Sequence, residues 1–316
     1  MPGDFIPNRP LQNLGAGDAR ALGLKVLAQE AMGEFARNLV MGNHAMTKTA
    51  MMATSEQFPI IGRAQLERHV PGQQLDGTII QSAERTISLE DNVVSHYHIP
   101  NIDKALKSWE ARSVYNRAIT ILMANHYEEE LSRTVYQTAE ETSTIPGPEG
   151  HGDGIVEVNA AFDNDGMAIF NGIFDVATRL RIQDVPVMGT HAYLDPIRYA
   201  LVLRSERAIN RDINIANGDL ASGSFSRINN IPVYETNNLA QSDDTNDMTI
   251  APARRQDYSR FRGGIWHMDA VGILKANEIN IQAEDELRSL GTLLVGQMLF
   301  GMGTLRPEAA GALAIA

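Results

Sequence analysis

The sequence contains no cysteine. That absence removes disulfides, thiolate zinc sites, iron–sulfur clusters and cysteine nucleophiles in one step. No run of 18 apolar residues occurs, so no membrane-spanning helix is expected. The opening Met1-Pro2-Gly3-Asp4-Phe5 lacks the basic-then-apolar order of a secretory signal, and the expectation is a soluble protein made and used in a cytoplasm. Basic residues are outnumbered 27 to 39, a net charge of −12, which argues against a general nucleic-acid binder. No Gly-rich run ends in Gly-Lys-Ser/Thr, no serine sits in Gly-x-Ser-x-Gly, and there is no His-Glu-x-x-His pair. What is present is ordinary for a folded chain: 316 residues, 43% of them hydrophobic, enough for one large domain or two modest ones.

Residues 1–16 carry three prolines and two glycines and read as a flexible arm. Leu24, Leu27, Ala28, Ala31, Phe35 and Leu39 then recur at helical spacing, with Gly42-Asn43 as a stop. From Phe58 to Ile99 the pattern turns to strands: Phe58-Pro59-Ile60-Ile61, Thr78-Ile79-Ile80, Arg85 to Leu89 and Val93 to Ile99. Pro71-Gly72 and Asp76-Gly77 mark turns between them. The apolar content there is too thin for a globule, and a two-stranded excursion is marginal in water without a partner surface. Pro100-Asn101-Ile102-Asp103 opens the longest helical pattern, to about Glu141. Four glycines and two prolines in residues 145–154 mark a boundary or hinge. The second half mixes helix (165–183, and a short one from Pro196) with strands at 190–194, 228–236, 273–275 and 278–282. The run 293–300 reads as strand or buried helix, and 240–258 as a polar surface loop.

Candidates for chemistry are weak. His96 and His98 alternate on a strand and face one side, compatible with two metal ligands but with no third nearby. Asp163-Asn164-Asp165-Gly166 reads better as a turn or helix cap than as a calcium loop, because the glycine arrives too early. Glu128-Glu129-Glu130 reads as a solvated helix face. Arg254-Arg255 with Arg260 and Arg262, the densest basic cluster, reads as an exposed loop making salt bridges. No catalytic, cofactor or metal residue is assigned. An arm, an unsupported hairpin and a very long helix are features of a subunit completed by its neighbours.

Several segments, in order, carry a resemblance. They are Phe35-Ala36-Arg37, Phe58-Pro59-Ile60-Ile61-Gly62-Arg63, Pro71-Gly72 with Leu75-Asp76, Trp109-Glu110-Ala111-Arg112-Ser113, Leu194-Asp195-Pro196-x-x-Tyr199 and Asn230 to Asn237. His267-x-x-Ala270-Val271-Gly272 and Leu305-Arg306-Pro307-Glu308-Ala309-Ala310-Gly311-Ala312 complete the set. From about residue 20 onward the chain resembles the major capsid proteins of tailed double-stranded-DNA bacteriophages, of the short-tailed podovirus type. The resemblance implies an α+β, Hong Kong 97-type capsid fold. Its parts would be an N-terminal arm with helix (1–57), an extended β-hairpin loop (58–99) and a peripheral-domain spine helix (100–149). An axial α/β domain (150–262), peripheral strands (263–302) and a C-terminal segment returning to the axial domain (303–316) would follow.

The same resemblance implies a non-enzymatic shell subunit that forms hexamers and pentamers of an icosahedral virion capsid around double-stranded DNA. Assembly would occur in the host bacterial cytoplasm, through a scaffolded procapsid that expands on packaging. The implied partners are further copies of the chain, a scaffolding protein, a portal protein at one vertex and, optionally, a decoration protein, with no membrane and no cofactor. The acidic balance would suit an inner wall past which DNA slides. Residues 58–91 contain no lysine, which argues against lysine–asparagine cross-linking there. Expected interface residues are Phe35 and Leu39 in the arm, Phe58, Ile61 and Arg63 at the loop base, Pro71 and Gly72 at its tip, and Arg306 and Glu308 in the closing motif. Intrachain packing is the alternative for the loop base. Two rivals remain: an encapsulin-like shell around a cargo enzyme, and a metal-dependent enzyme using His96 and His98.

Overall fold

Period-two patterning and β-branched residues early in the chain form strands β1 (Met46–Thr49), β2 (Ser55–Ile61), β3 (Ser82–Ser88) and β4 (Val93–Pro100). Helix α1 (Trp109–Glu140) follows, 32 residues with neither proline nor glycine, spanning about 48 Å. Next come β5 (Ile155–Val158), α2 (Gly166–Ile182), β6 (Thr190–Leu194), α3 (Pro196–Arg204), and two-residue strands β7 (Gly218–Asp219) and β8 (Ser224–Phe225). Strands β9 (Arg227–Ile228), β10 (Ile231–Glu235), β11 (Phe261–His267), β12 (Val271–Glu286), β13 (Gly291–Thr304) and β14 (Ala310–Ala314) complete the chain. The computed structural model describes residues 33–35, 39–50, 53–64, 66, 68–69, 79–90, 92–100, 109–145, 147, 150–205, 218–219, 224–225, 227–286 and 290–316. Residues 101–108, where the long helix was expected to begin, lie outside them.

Local chemistry explains the helix ends. Asp165 caps α2, its Oδ1 accepting the Met167 N–H at 2.8 Å, and Arg179 and Arg181 in the last turn face the negative end of the helix dipole. Pro196 occupies the first turn of α3, where its missing N–H has no partner to lose.

The chain divides into two compact units. The first comprises residues 1–39, 91–126 and 277–299. Within it β4 runs antiparallel to β13, from Gly291 opposite Pro100 to Met298 opposite Val93. A Cβ on Gly296 would fall 2.7 Å from Ile119 Cγ2, so glycine is what lets α1 lie this close to β13. The extended loop expected over 58–99 therefore ends at β3; β4 pairs with β13 and not with the hairpin. Of the arm helix, Gly33–Phe35 are helical.

The second unit comprises residues 40–90, 127–276 and 300–316. Its centre is a six-stranded sheet in the order β5-β14-β11-β6-β10-β9. Alternation along the strands gives the sheet two different faces. Ala192, Leu194, Ile265 and Leu313 turn toward α2, which approaches closely enough that a Cβ on Gly311 would sit 2.4 Å from Val176 Cγ1. The other face is aromatic. Tyr193 stacks on Trp266 at 4.3 Å, and Tyr136 of α1 stacks on Phe261 at 4.3 Å, with Ala310 and Ala312 leaving room beside them. Residues 263–267, expected among separate peripheral strands, are central in this sheet, because β11 is flanked by β6 and β14. The run 293–300 is strand, and 273–282 is one continuous strand.

Candidate functional site

The hairpin that sequence singled out is present. Strands β2 and β3 pair from Ser55 opposite Ser88 to Ile61 opposite Ser82. Phe58 and Ile60 alternate inward, and Phe58 joins Ile87, Leu274 and Leu305 in a small core. The Lys48 amine lies 4.1 Å from the Phe58 ring and donates to the Gln57 carbonyl at 2.9 Å, tying β1 to the hairpin base. Arg85 anchors the opposite strand, donating to Glu141 Oε2 at 2.9 Å and to Thr144 Oγ1 at 3.2 Å. Phe58 is thus a core residue of its own chain, not an interface residue, because the inward face of β2 needs an apolar partner and finds it at Leu274 and Leu305.

The far end of the hairpin differs. Ile61 is 65% exposed, Leu66 92%, Ile79 84% and Ile80 45%. Ile79 and Ile80, expected to be strand, lie outside β3. These large apolar side chains at the far end of the hairpin stand in water, and contiguous exposed apolar surface is what an interaction site offers, which makes them interface candidates. The backbone below it is fixed: His151 Nε2 donates to the Ile61 carbonyl at 3.1 Å, and Arg63 reaches Asp184 at 2.8 Å and the Gln183 carbonyl at 3.3 Å. Pro71 and Gly72 lie outside the described residues. Leu66, Ile79 and Ile80 were the interface candidates that sequence reading missed, although an apolar trio in a segment too thin for a core was the available signal.

The remaining expected positions scatter. Phe35 and Leu39 are half-buried, the Leu39 N–H donating to the Phe35 carbonyl at 3.2 Å. Arg306 Nε donates to Glu308 Oε1 at 2.7 Å, and Glu308 is buried. Glu308 is therefore not available to a partner; it neutralises Arg306 just before β14. His96 and His98 sit exposed on β4, and among the described residues no group of three His, Asp or Glu side chains is arranged to hold a metal.

Two acidic and basic runs were misread. Glu128 and Glu130, expected on a solvated face, are buried, and so is Arg254, expected in an exposed loop. Arg254 Nε bonds Glu130 Oε2, its Nη2 bonds Glu90 Oε2, and its Nη1 donates to the Met302 carbonyl at 3.2 Å. Arg133 completes the network through Asp244 at 2.7 Å and Glu130 at 3.3 Å. Burial works against the Arg254 charge, but Glu130 and Glu90 hold its pKa above the ordinary arginine value. These charges are paired inside the fold and offer no nucleic-acid surface.

Comparison with known proteins completes the picture. A family model described as "Gp10A-like: Major capsid protein" matches residues 57–314. The major capsid protein of Escherichia phage T7 is 26% identical over 324 residues, covering 95% of this chain and 93% of that protein. The capsid structure of the cyanophage P-SCSP1u superposes with a TM-score of 0.76 at 24% identity, covering 99% of each chain. A virus-like particle from Pyrococcus furiosus superposes with a TM-score of 0.58 at 10% identity, covering 92% of this chain and 99% of that one. At such identities the structural likenesses establish a shared capsid fold.

Proposed function

Because this chain belongs to the Gp10A-like major capsid protein family, and is a self-associating structural subunit of a phage capsid rather than an enzyme, we propose that it forms hexamers and pentamers of an icosahedral shell around double-stranded DNA. The observation that carries the shell reading is the family match from 57 to 314, which begins inside the hairpin and runs to β14. The compartment alternative is not better supported, because the family model and the curated relative that match are major capsid proteins.

The geometry supports a division of labour along the hairpin. Its base is locked into the subunit through Phe58, Ile87 and Arg85. Its end carries Ile61, Leu66, Ile79 and Ile80, whose apolar surface a neighbouring subunit would cover. Many equivalent contacts of this kind, each weak, close a shell through symmetry and multivalency. Scaffolding, portal and decoration proteins, expansion on packaging, and assembly in the bacterial cytoplasm belong to the same proposal, carried by the family alone. Replacing residues 65–80 by a short linker spares Ile87 and the base cluster. The expected product is a folded subunit that forms no closed shell; wild-type-like particles from it would overturn the role given to the hairpin end.

A further inference from the structure

Residues 40–45 cross the aromatic face of the six-stranded sheet. The Val40 and Met41 N–H groups both donate to Glu128 Oε1, the latter at 2.8 Å, and Asn238 Nδ2 donates to Oε2 at 2.9 Å. Trp266 Nε1 donates to the His44 carbonyl at 2.9 Å. The Tyr193 hydroxyl bonds His44 Nδ1. The His44 ring stacks on His191 with centroids 3.7 Å apart and on Tyr234 at 5.6 Å. His191 Nδ1 is buried with no hydrogen-bond partner among the described residues. From sequence alone, nothing distinguished these histidines.

We propose that residues 40–45 are a proton-sensitive strap: the neutral imidazoles of His44 and His191 hold it on the sheet, and their protonation releases it. Three features argue for this. Two rings in face contact at 3.7 Å repel strongly if both are charged. Burial raises the Tyr193 phenol far above its usual range, with Tyr234 and Glu128 adding to the shift, so the hydroxyl keeps a proton that it can donate. In the neutral ring His44 Nδ1 can accept that proton, an acceptor that protonation of the imidazole removes. No carboxylate is recorded bonded to either imidazole among the described residues. His191 on β6 is faced by His44 from the strap, Tyr234 from β10 and His267 from β11, with Tyr193 on its own strand. Asp269 pairs with His267, at 3.4 Å, and Glu128 is committed to backbone amides of the strap.

The sign of the pH dependence follows. Burial, then the like charges of His44 and His267, push the His191 pKa down from 6.5 to about 4, and burial lowers that of His44 against its bond to Val40. The released strap binds protons more readily than the docked one. Its hold is complete above pH 6.5 and weakens progressively as the pH falls toward 4. The strap is a property of the folded subunit and stands apart from the shell reading.

Hydrogen exchange on the full unassembled chain tests it, corrected for intrinsic rates and compared between pH 7 and pH 5. The protection of a peptide covering residues 40–45 should fall more than about tenfold relative to a peptide in β11. In His191→Phe, which keeps an aromatic ring but cannot titrate, most of that fall should vanish. Equal protection of the strap at both pH values, or an undiminished fall in the variant, overturns the proposal. Should His191→Phe not fold, NMR titration of the wild-type imidazoles decides: His44 and His191 titrating below the ordinary histidine value, in step with strap amide shifts, supports it, and titration at or above that value overturns it.

Discussion

Arg254 shows how far a single side chain can be from its expected setting. A guanidinium in a loop rich in Asp, Asn and Arg is normally solvated, yet here it is 2% exposed between Glu130 and Glu90. A buried pair is weak evidence for net stability, but removing one member strands the rest. Arg254→Ala leaves Glu130 and Glu90 short of a partner and should destabilise the unassembled subunit by about 3–5 kcal/mol in denaturant unfolding. Arg254→Lys should recover only part of that, because an ammonium cannot present the planar fork that spans both carboxylates and the Met302 carbonyl. At this scale the sequence was least legible. The spacing of Glu129 and Glu130 before Arg133 is the i, i+3 and i, i+4 pattern of a helix surface. What buries it is Arg254, 124 positions away, a contact that periodicity does not encode.

Elements were more legible than residues. Helices α2 and α3, strand β6 and the β9–β10 turn follow from caps, prolines and alternation that are local in sequence. Pairing partners were not. Strand β4 looked like a continuation of the hairpin because a strand pattern does not say which strand it meets, and its partner β13 lies about two hundred residues on. Close packing was hidden too: Gly311 reads as one small residue among alanines, yet it is the point where β14 meets α2. Gly311→Ala places a methyl against Val176 and should cost about 1–3 kcal/mol of stability, lowering the midpoint of thermal unfolding. The hairpin end is the converse case. Changing Ile79 and Ile80 together to Asp touches no intrachain core, so subunit stability should move by no more than about 0.5 kcal/mol. Particle yield on sedimentation should nevertheless collapse. A large loss of stability with assembly retained would show that these side chains serve the subunit rather than its neighbour.

On the scale of the whole molecule, the chain spends few residues on chemistry and many on being held. The second unit has an aromatic sheet face, an aliphatic face and a charged core, while its hairpin leaves apolar surface in water. The strap at residues 40–45 lies on the aromatic face of that unit, where His44 meets Tyr193 and His191. The capsid fold was legible from sequence because ordered motifs from Phe58-Pro59-Ile60-Ile61-Gly62-Arg63 to Leu305-Arg306-Pro307-Glu308 resemble those of phage major capsid proteins; the arm, hairpin and long helix by themselves indicated only a subunit completed by its neighbours. The tip residues Pro71 and Gly72 fall outside the described residues, so the hairpin's end is defined by Ile61, Leu66, Ile79 and Ile80. Cryo-electron microscopy of the chain, expressed alone and with a co-expressed scaffolding protein, tests the central claim most directly. The prediction is closed shells or tubes of hexameric units in which Leu66, Ile79 and Ile80 of one subunit are covered by the next. A monodisperse small species under both conditions, or shells with those side chains left in solvent, would contradict it.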